Sequence, residues 1–268
     1  MLTLTDIAEE PLVLTSRLRL RDGSLAVLRP LVHADAERLA GFLEGLSPES
    51  RRLSTFDGYD LAAARELCDA IARYDKLRLV LEDESSARIV GLFELSLALT
   101  AGDIARYRAA GVHLTEQTDC RFGPTLADAY QGSGVGSLVL PLVMEAVRRL
   151  GRTRVILWGG VLAGNARALR FCEKAGFQLV GPFTGPDGTP SLDMILHSTA
   201  PDATARLTCA DAEVGHRPGA GGGLVLRSPH PPPSCTHRST KGVRRSYRGM
   251  TGDRVRVPQA WAGVRPGV

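Results

Sequence analysis

The first 200 residues of this 268-residue chain predict a domain of the α+β class. Two observations carry the prediction. Segments that alternate apolar and polar residues at strand spacing are interspersed with segments whose apolar residues recur every three to four positions. A glycine-rich turn, Gln131-Gly132-Ser133-Gly134-Val135-Gly136, joins one of those strands to a long helical pattern.

Leu18 to Arg21, the turn Asp22-Gly23 and Leu25 to Leu31 predict a β-hairpin at the start of the domain. Leu39, Phe42, Leu43 and Leu46 stand at i, i+3, i+4 and i+7, an amphipathic helix with Asp35 near its start. Ser47-Pro48-Glu49-Ser50 reads as a cap with proline in the first turn of a second helical piece. A third helix is expected from Leu61 to Tyr74. Strands at Leu77 to Leu81 and Ile89 to Leu99 come next; in the second, Phe93, Leu95, Leu97 and Leu99 take one face, so Glu94, Ser96 and Ala98 take the other. Residues 100–119 form a polar insertion with a short helix around Asp103 to Ala110. A strand from Cys120 to Ala127 leads into the glycine-rich turn, and Leu138, Val139, Leu142, Val143, Val147 and Leu150 predict the helix after it. Arg148, Arg149 and Gly151 are suited to that helix's C-terminus. The strand Thr153 to Trp158, a turn at Gly159 to Gly164, a helix from Asn165 to Ala175 and strands near Phe177 to Phe183 and Leu192 to His197 complete the domain. The last two flank a turn at 185–188.

Chemistry concentrates at 120–150. Closely spaced glycines let backbone approach a ligand, and the N–H groups of a starting helix point out of its end, so the turn is suited to a pyrophosphate. A tight turn that binds nothing is the alternative. No GxxxxGK[ST] supplies a P-loop lysine, and Gly132-x-Gly134-x-Gly136 is not the GxGxxG of dinucleotide folds. HExxH, GxSxG and the kinase motifs are absent from the sequence.

Gln131-x-x-Gly134-x-Gly136 resembles the acyl-CoA-binding motif of the GNAT superfamily of N-acetyltransferases. About 30 residues on, Asn165-Ala166-Arg167-Ala168-Leu169-Arg170-Phe171-Cys172-Glu173-Lys174-Ala175-Gly176-Phe177 is similar to the family's second signature, N-x-x-A-x-x-F-Y-E-K-x-G-F, with Cys172 in place of the tyrosine. The resemblance extends over roughly residues 17–197. The openings Arg21-Asp22-Gly23, Leu28-Arg29-Pro30-Leu31 and Leu46-Ser47-Pro48-Glu49-Ser50 are similar to those of bacterial protein-lysine acetyltransferase domains. The resemblance implies a three-layer domain at 12–198, with a mixed, mostly antiparallel sheet of six or seven strands, helices on both faces and two splayed parallel strands.

It also implies roles. The backbone of Leu126, Ala127 and Asp128 would pair with the pantetheine arm of acetyl-CoA and polarise its thioester carbonyl. Gln131, Gly132, Ser133, Gly134, Val135, Gly136 and Ser137 would hold the pyrophosphate. Asn165 and Lys174 match positions near the cofactor, though Asn165 is also a good N-cap and Lys174 a favourable C-terminal cation. The implied reaction moves an acetyl group from acetyl-CoA to a primary amine, on a small molecule or a protein lysine, by direct attack in a ternary complex. Glu94, ahead of Glu116 and Asp119, is the candidate that takes the proton from the ammonium, and a partly solvated strand glutamate is the alternative. Cys172, with a thiol pKa of ~8.5 if unperturbed, is the candidate acid for the departing thiolate; it could equally fill a small apolar space. Cys172 in place of the tyrosine keeps open a noncatalytic acyl-CoA-binding or sensing module.

Charge separates the domain from the C-terminal segment. The formal charge is +4, but residues 201–268 alone carry +7 and the first 200 residues −3. Residues 201–268 also hold eight of the 16 prolines and ten of the 29 glycines, with no sustained apolar period, so they predict a disordered, basic tail. Arg244, Arg245 and Arg248 with Tyr247 and Trp261 allow salt-sensitive nucleic-acid binding in principle. The chain, however, has 30 Arg and three Lys, and that bias yields such a tail without any acidic partner. Five scattered cysteines without a CxxC pair predict neither a disulfide framework nor a zinc site. Cys235, His230 and His237 read as uncommitted tail residues, and no metal is expected. No apolar run approaches the ~20 residues of a membrane helix, and Met1 to Glu10 has acidic but no basic side chains, so no membrane partner and a cytoplasmic location are expected. The sequence carries no signal for an oligomeric state.

Overall fold

The computed structural model describes residues 1–198 apart from 55, 186 and 187. The 201–268 segment, with Cys235, His230, His237 and its arginines, lies outside the described residues, as does the centre of the turn at 185–188.

The chain opens with a helix absent from the sequence prediction, α1 (Leu4–Glu9), started by a reciprocal Thr3/Asp6 capping box. The predicted hairpin forms as β1 (Ser16–Arg19) and β2 (Leu25–Pro30). Then come α2 (Ala36–Glu44), α3 (Pro48–Arg52), α4 (Leu61–Asp69), β3 (Lys76–Asp83), β4 (Arg88–Ser96), α5 (Ala101–Ala109) and β5 (Asp119–Leu126). The glycine-rich turn leads into α6 (Val135–Arg149), followed by β6 (Arg154–Leu157), β7 (Val161–Leu162), α7 (Ala166–Lys174), β8 (Gln178–Thr184) and β9 (Pro190–His197).

One sheet runs β1-β2-β3-β4-β5-β6-β9-β7, with β8 also paired to β9. Only the β5–β6 pairing is parallel among the described strands. The class is the predicted one, with nine strands among the described residues. The count exceeds six or seven partly because β7, two residues long, forms inside the segment that reads as a turn, where period-2 patterning has too few positions to register.

Alternation along the strands builds two cores. Leu79, Leu81, Phe93 and Leu95 pack with Val139, Val143 and Val147 of α6, and α1 and α7 join that side through Ile7 and Cys172. Val80 and Leu92 turn the other way, onto Leu39, Phe42 and Leu43 of α2 and Ala64 and Cys68 of α4. A smaller cluster packs Tyr107 of α5 on Ile156 and Ile195. Each fully buried side chain of this size contributes about 1.5–3 kcal/mol of apolar transfer, which makes the sheet a firm platform. Ionic contacts fix the start of α2: Asp35, fully buried, accepts from Arg29 at 2.7 and 2.9 Å and from the Val32 N–H at 3.0 Å. Among the described residues no helix is long and apolar enough to cross a membrane.

Candidate active site

The parallel strands part almost as soon as they meet. β5 and β6 pair from Asp119↔Arg154 to Phe122↔Leu157, and the Trp158 N–H donates to Phe122 O at 2.9 Å. Gly159 and Gly160, both at positive φ, then carry the chain away toward β9. Gly160 is required there, because a Cβ would sit 2.7 Å from the Leu192 carbonyl oxygen. From Gly123 to Leu126, β5 is paired only to β4. The Ala127 N–H donates to Val90 O, so by alternation Phe122, Pro124 and Leu126 turn their backbone groups toward the parting strands. Pro124 offers a carbonyl but no N–H. The Leu126 carbonyl already accepts from Gln131 Nε2 at 2.9 Å. The ladder groups left facing the opening are the Leu126 N–H and the Pro124 carbonyl.

At the end of β5 a run of backbone donors is exposed. Gly132 and Gly134 adopt positive φ, 73° and 91°, and Gly134 is the N-cap of α6 without a side-chain cap. None of the N–H groups of 132–137 has a backbone acceptor among the described residues. Three of these amides open the 15-residue α6 and three directly precede it, so donors without backbone acceptors gather at its positive end, an arrangement suited to an anion. Gly136 allows α7 to close on that end, since a Cβ there would be 3.1 Å from the Phe171 ring.

Gln131 precedes these amides and is tied to the protein around it. Its Nε2 donates to Ser50 Oγ and Leu126 O, both at 2.9 Å, its Oε1 accepts from Arg167 at 2.6 Å, and its N–H donates to Asp128 O. Gln131 lines the cleft, and its side-chain amide is engaged by protein partners on both its nitrogen and its oxygen. The expected pairing surface shifts. The Ala127 N–H is spent on Val90 and Asp128 opens a short 3-10 turn, so the open backbone lies at Gly123–Leu126 instead of Leu126–Asp128. The Asp128 carboxylate accepts from the Ser47 N–H and Oγ and from Ser50 Oγ at 2.7–2.9 Å, and these bonds hold its pKa below the usual value.

A cleft of about 1150 Å³ runs along these groups, lined among others by Leu126, Gly132, Gly134, Gly136, Ser137 and Asn165. Its rim carries cations the sequence pattern does not single out: Arg21 from the hairpin turn and Arg167 and Arg170 from α7, beside Lys174. The i, i+3, i+7 spacing of Arg167, Arg170 and Lys174 marks one helical face, but nothing in the sequence tells which way it points. Asn165 caps α7, its Oδ1 accepting from the Ala168 N–H at 3.0 Å, and also lines the cleft.

A smaller cavity of about 150 Å³ shares the parting strands and brings together Glu94, Cys172, Phe56, Trp158 and Asn165. Glu94 is 6% exposed, on the opposite sheet face from Phe93 and Leu95, and its Oε1 accepts from Arg78 Nε at 3.0 Å. Cys172 is 2% exposed, and burial pushes its thiol up to about 11. That corrects the ordinary thiol expected from the sequence. Glu116 and Asp119 are elsewhere: Glu116 accepts from the Leu99 N–H, and Asp119 is fully buried in a two-point ion pair with Arg154. Among the described residues no group of three or more His, Cys, Asp or Glu is placed to hold a metal ion.

The family described as "Acetyltransferase (GNAT) domain" matches residues 26–178. "Acetyltransferase PA5475" of Pseudomonas aeruginosa is 30% identical over 132 residues, which are 49% of this chain and 64% of that protein, so the chain spans under two thirds of that relative's length. The crystal structure of the GNAT domain of S. lividans PAT superposes with a TM-score of 0.53 at 23% identity, over 70% of this chain and 98% of that one. Aminoglycoside acetyltransferase AAC(6')-Ib in complex with coenzyme A superposes with a TM-score of 0.50 at 21% identity, over 64% and 94% of the two chains. The two structures share the fold of this splayed sheet, and with the family match over more than half its length, the chain belongs to the GNAT acetyltransferase family.

Proposed function

We propose that this protein transfers an acetyl group from acetyl-CoA to a primary amine in a ternary complex. The observation that carries the reading is a pair of adjoining openings that share Leu53, Pro124, Thr125, Asn165 and Phe171 in their walls, one holding the amides of 132–137, which have no backbone acceptor among the described residues, and the other holding Glu94. Such an arrangement suits a long flexible arm that ends in a pyrophosphate. In this reading the amides of Gly132–Ser137 hold the phosphates, while the Leu126 N–H and Pro124 carbonyl align the arm. Lys174 and Asn165 border it. Acetyl-CoA supplies the reactive thioester carbonyl. The chain's own residues orient it, exclude water and move protons.

Glu94 is the group at hand to take a proton from the acceptor's ammonium, whose ordinary pKa is about 10. Its Oε1 is engaged by Arg78, which fixes the carboxylate on the cavity side of the sheet. Cys172 is not given the acid role. A thiol near 11 gives up its proton less readily than an ordinary thiol, so it holds packing space, and solvent protonates the departing thiolate. The acceptor enters past Leu53, Ser54, Phe56 and Trp158. We read residues 12–198 as the catalytic domain and 201–268 as an appendage, in keeping with the family match at 26–178. The buried free thiols Cys68, Cys120 and Cys172 suit a reducing, cytoplasmic compartment.

The test is release of free CoA from acetyl-CoA across a panel of small amines and lysine peptides. Acceptor-dependent release is expected. CoA binding without release on any acceptor would leave a noncatalytic acyl-CoA-binding module.

A further inference from the structure

We propose that Arg21, from the β1–β2 hairpin turn, recognises the phosphates of the acyl donor by closing over the amide cradle of α6; the proposal rests on the acetyl-CoA reading. The position follows from contact. A Cβ built on Gly134 would lie 2.7 Å from Arg21 Cζ and 2.8 Å from its Nε, so the guanidinium rests against the N-cap glycine of α6. Arg21 also lines the cleft together with Gly132, Gly134 and Gly136.

Electrostatics makes that placement informative. A helix N-terminus carries positive partial charge, and the amides of 132–137 add their own donors without any backbone acceptor among the described residues. The Arg21 side chain is exposed to solvent and, among the described residues, makes no hydrogen bond or ion pair within the protein, so the guanidinium beside this end of like charge is available to an anion. A diphosphate lying between the amides and Arg21 satisfies both, with the forked donor geometry that suits phosphate oxygens. The hairpin turn is stiff enough to hold the residue there. Asp22 Oδ1 accepts from the Ser24 N–H at 3.0 Å and Ser24 Oγ at 2.6 Å, and Gly23 supplies the left-handed φ of 89°. Arg21 would then be the part of the phosphate site contributed by an element more than 100 residues before the glycine-rich turn.

The experiment measures CoA binding to the full chain by titration calorimetry, comparing Arg21→Ala with Arg19→Ala, a cation on the same hairpin that does not line the cleft. Arg21→Ala is expected to weaken CoA binding about ten- to hundredfold with the melting temperature unchanged, and Arg19→Ala to stay within about twofold of the parent. Equal affinity of Arg21→Ala and the parent, or equal weakening by both variants, overturns the role of Arg21. Failure of the parent itself to bind CoA overturns the acetyl-CoA reading, and this proposal with it.

Discussion

Ser50 Oγ donates to Asp128 Oδ1 at 2.7 Å while accepting from Gln131 Nε2 at 2.9 Å, so one hydroxyl ties the start of α3 to both ends of the turn that precedes the cradle. Asp128→Ala removes the acceptor for Ser47 N, Ser47 Oγ and Ser50 Oγ together. A stability loss of about 1–3 kcal/mol is expected, measured by denaturant unfolding, together with weaker CoA binding as Gln131 loses its anchored partner.

Gly134→Ala places a side chain at φ 91° and against the Arg21 guanidinium. The backbone strain alone costs about 1 kcal/mol or more. CoA affinity should drop by a larger factor than the stability change implies, because the cradle itself is reshaped. Calorimetry and thermal melting on the same preparation separate the two effects.

Glu94→Gln keeps an oxygen for Arg78 Nε but abolishes the base. It should lower kcat by about 10²–10⁴ with CoA affinity unchanged. Glu94→Ala is a different experiment. It leaves the buried Arg78, 5% exposed, without its partner, and should cost about 3–5 kcal/mol of stability. A Gln variant with parental kcat removes Glu94 from the mechanism.

Cys172→Ala should retain kcat to within about twofold, since a thiol held near 11 is a poorer proton donor than an ordinary one. A large loss of kcat with an unchanged melting temperature would return Cys172 to the role of acid.

Most of the fold was legible because it follows from local pattern: the hairpin from Asp22-Gly23, α3 from Ser47-Pro48, α7 from Asn165. The turn that exposes backbone donors at the start of α6 was legible in its glycines. What escaped depends on partners distant in sequence. Gln131 stands in the motif, yet its side chain is claimed by Ser50, 81 residues upstream, and Arg167, 36 downstream. Arg21 stands in a hairpin turn whose resemblance to the family's openings carries no ligand role, and its place beside Gly134 follows only from the fold. The upward shift of Cys172 arises first from burial in the core it shares with α6 and the sheet, which no neighbour in sequence encodes, and then from the negative charge of the adjacent Glu173.

Asp83 gives the acid behaviour a direction. Ser85 Oγ donates to it, then Tyr130 Oη at 2.8 Å, and these bonds depress its pKa from 3.8 to about 2. A depressed carboxylate stabilises the fold fully above its unfolded value near 3.8, and that contribution fades as pH falls through about 2. Tyr130→Phe should raise the Asp83 pKa and move the acid-unfolding midpoint to higher pH, followed by circular dichroism between pH 2 and about 5.

Pro124 gives the opening between β5 and β6 a permanence that its glycines alone would not. Even if the segment after Trp158 swung back beside β5, the ladder would meet a residue with no N–H to donate, so zipping the strands shut gains little. The gap is therefore preorganised. A ligand entering it need not break protein pairing first, and more of its contact energy is realised as affinity.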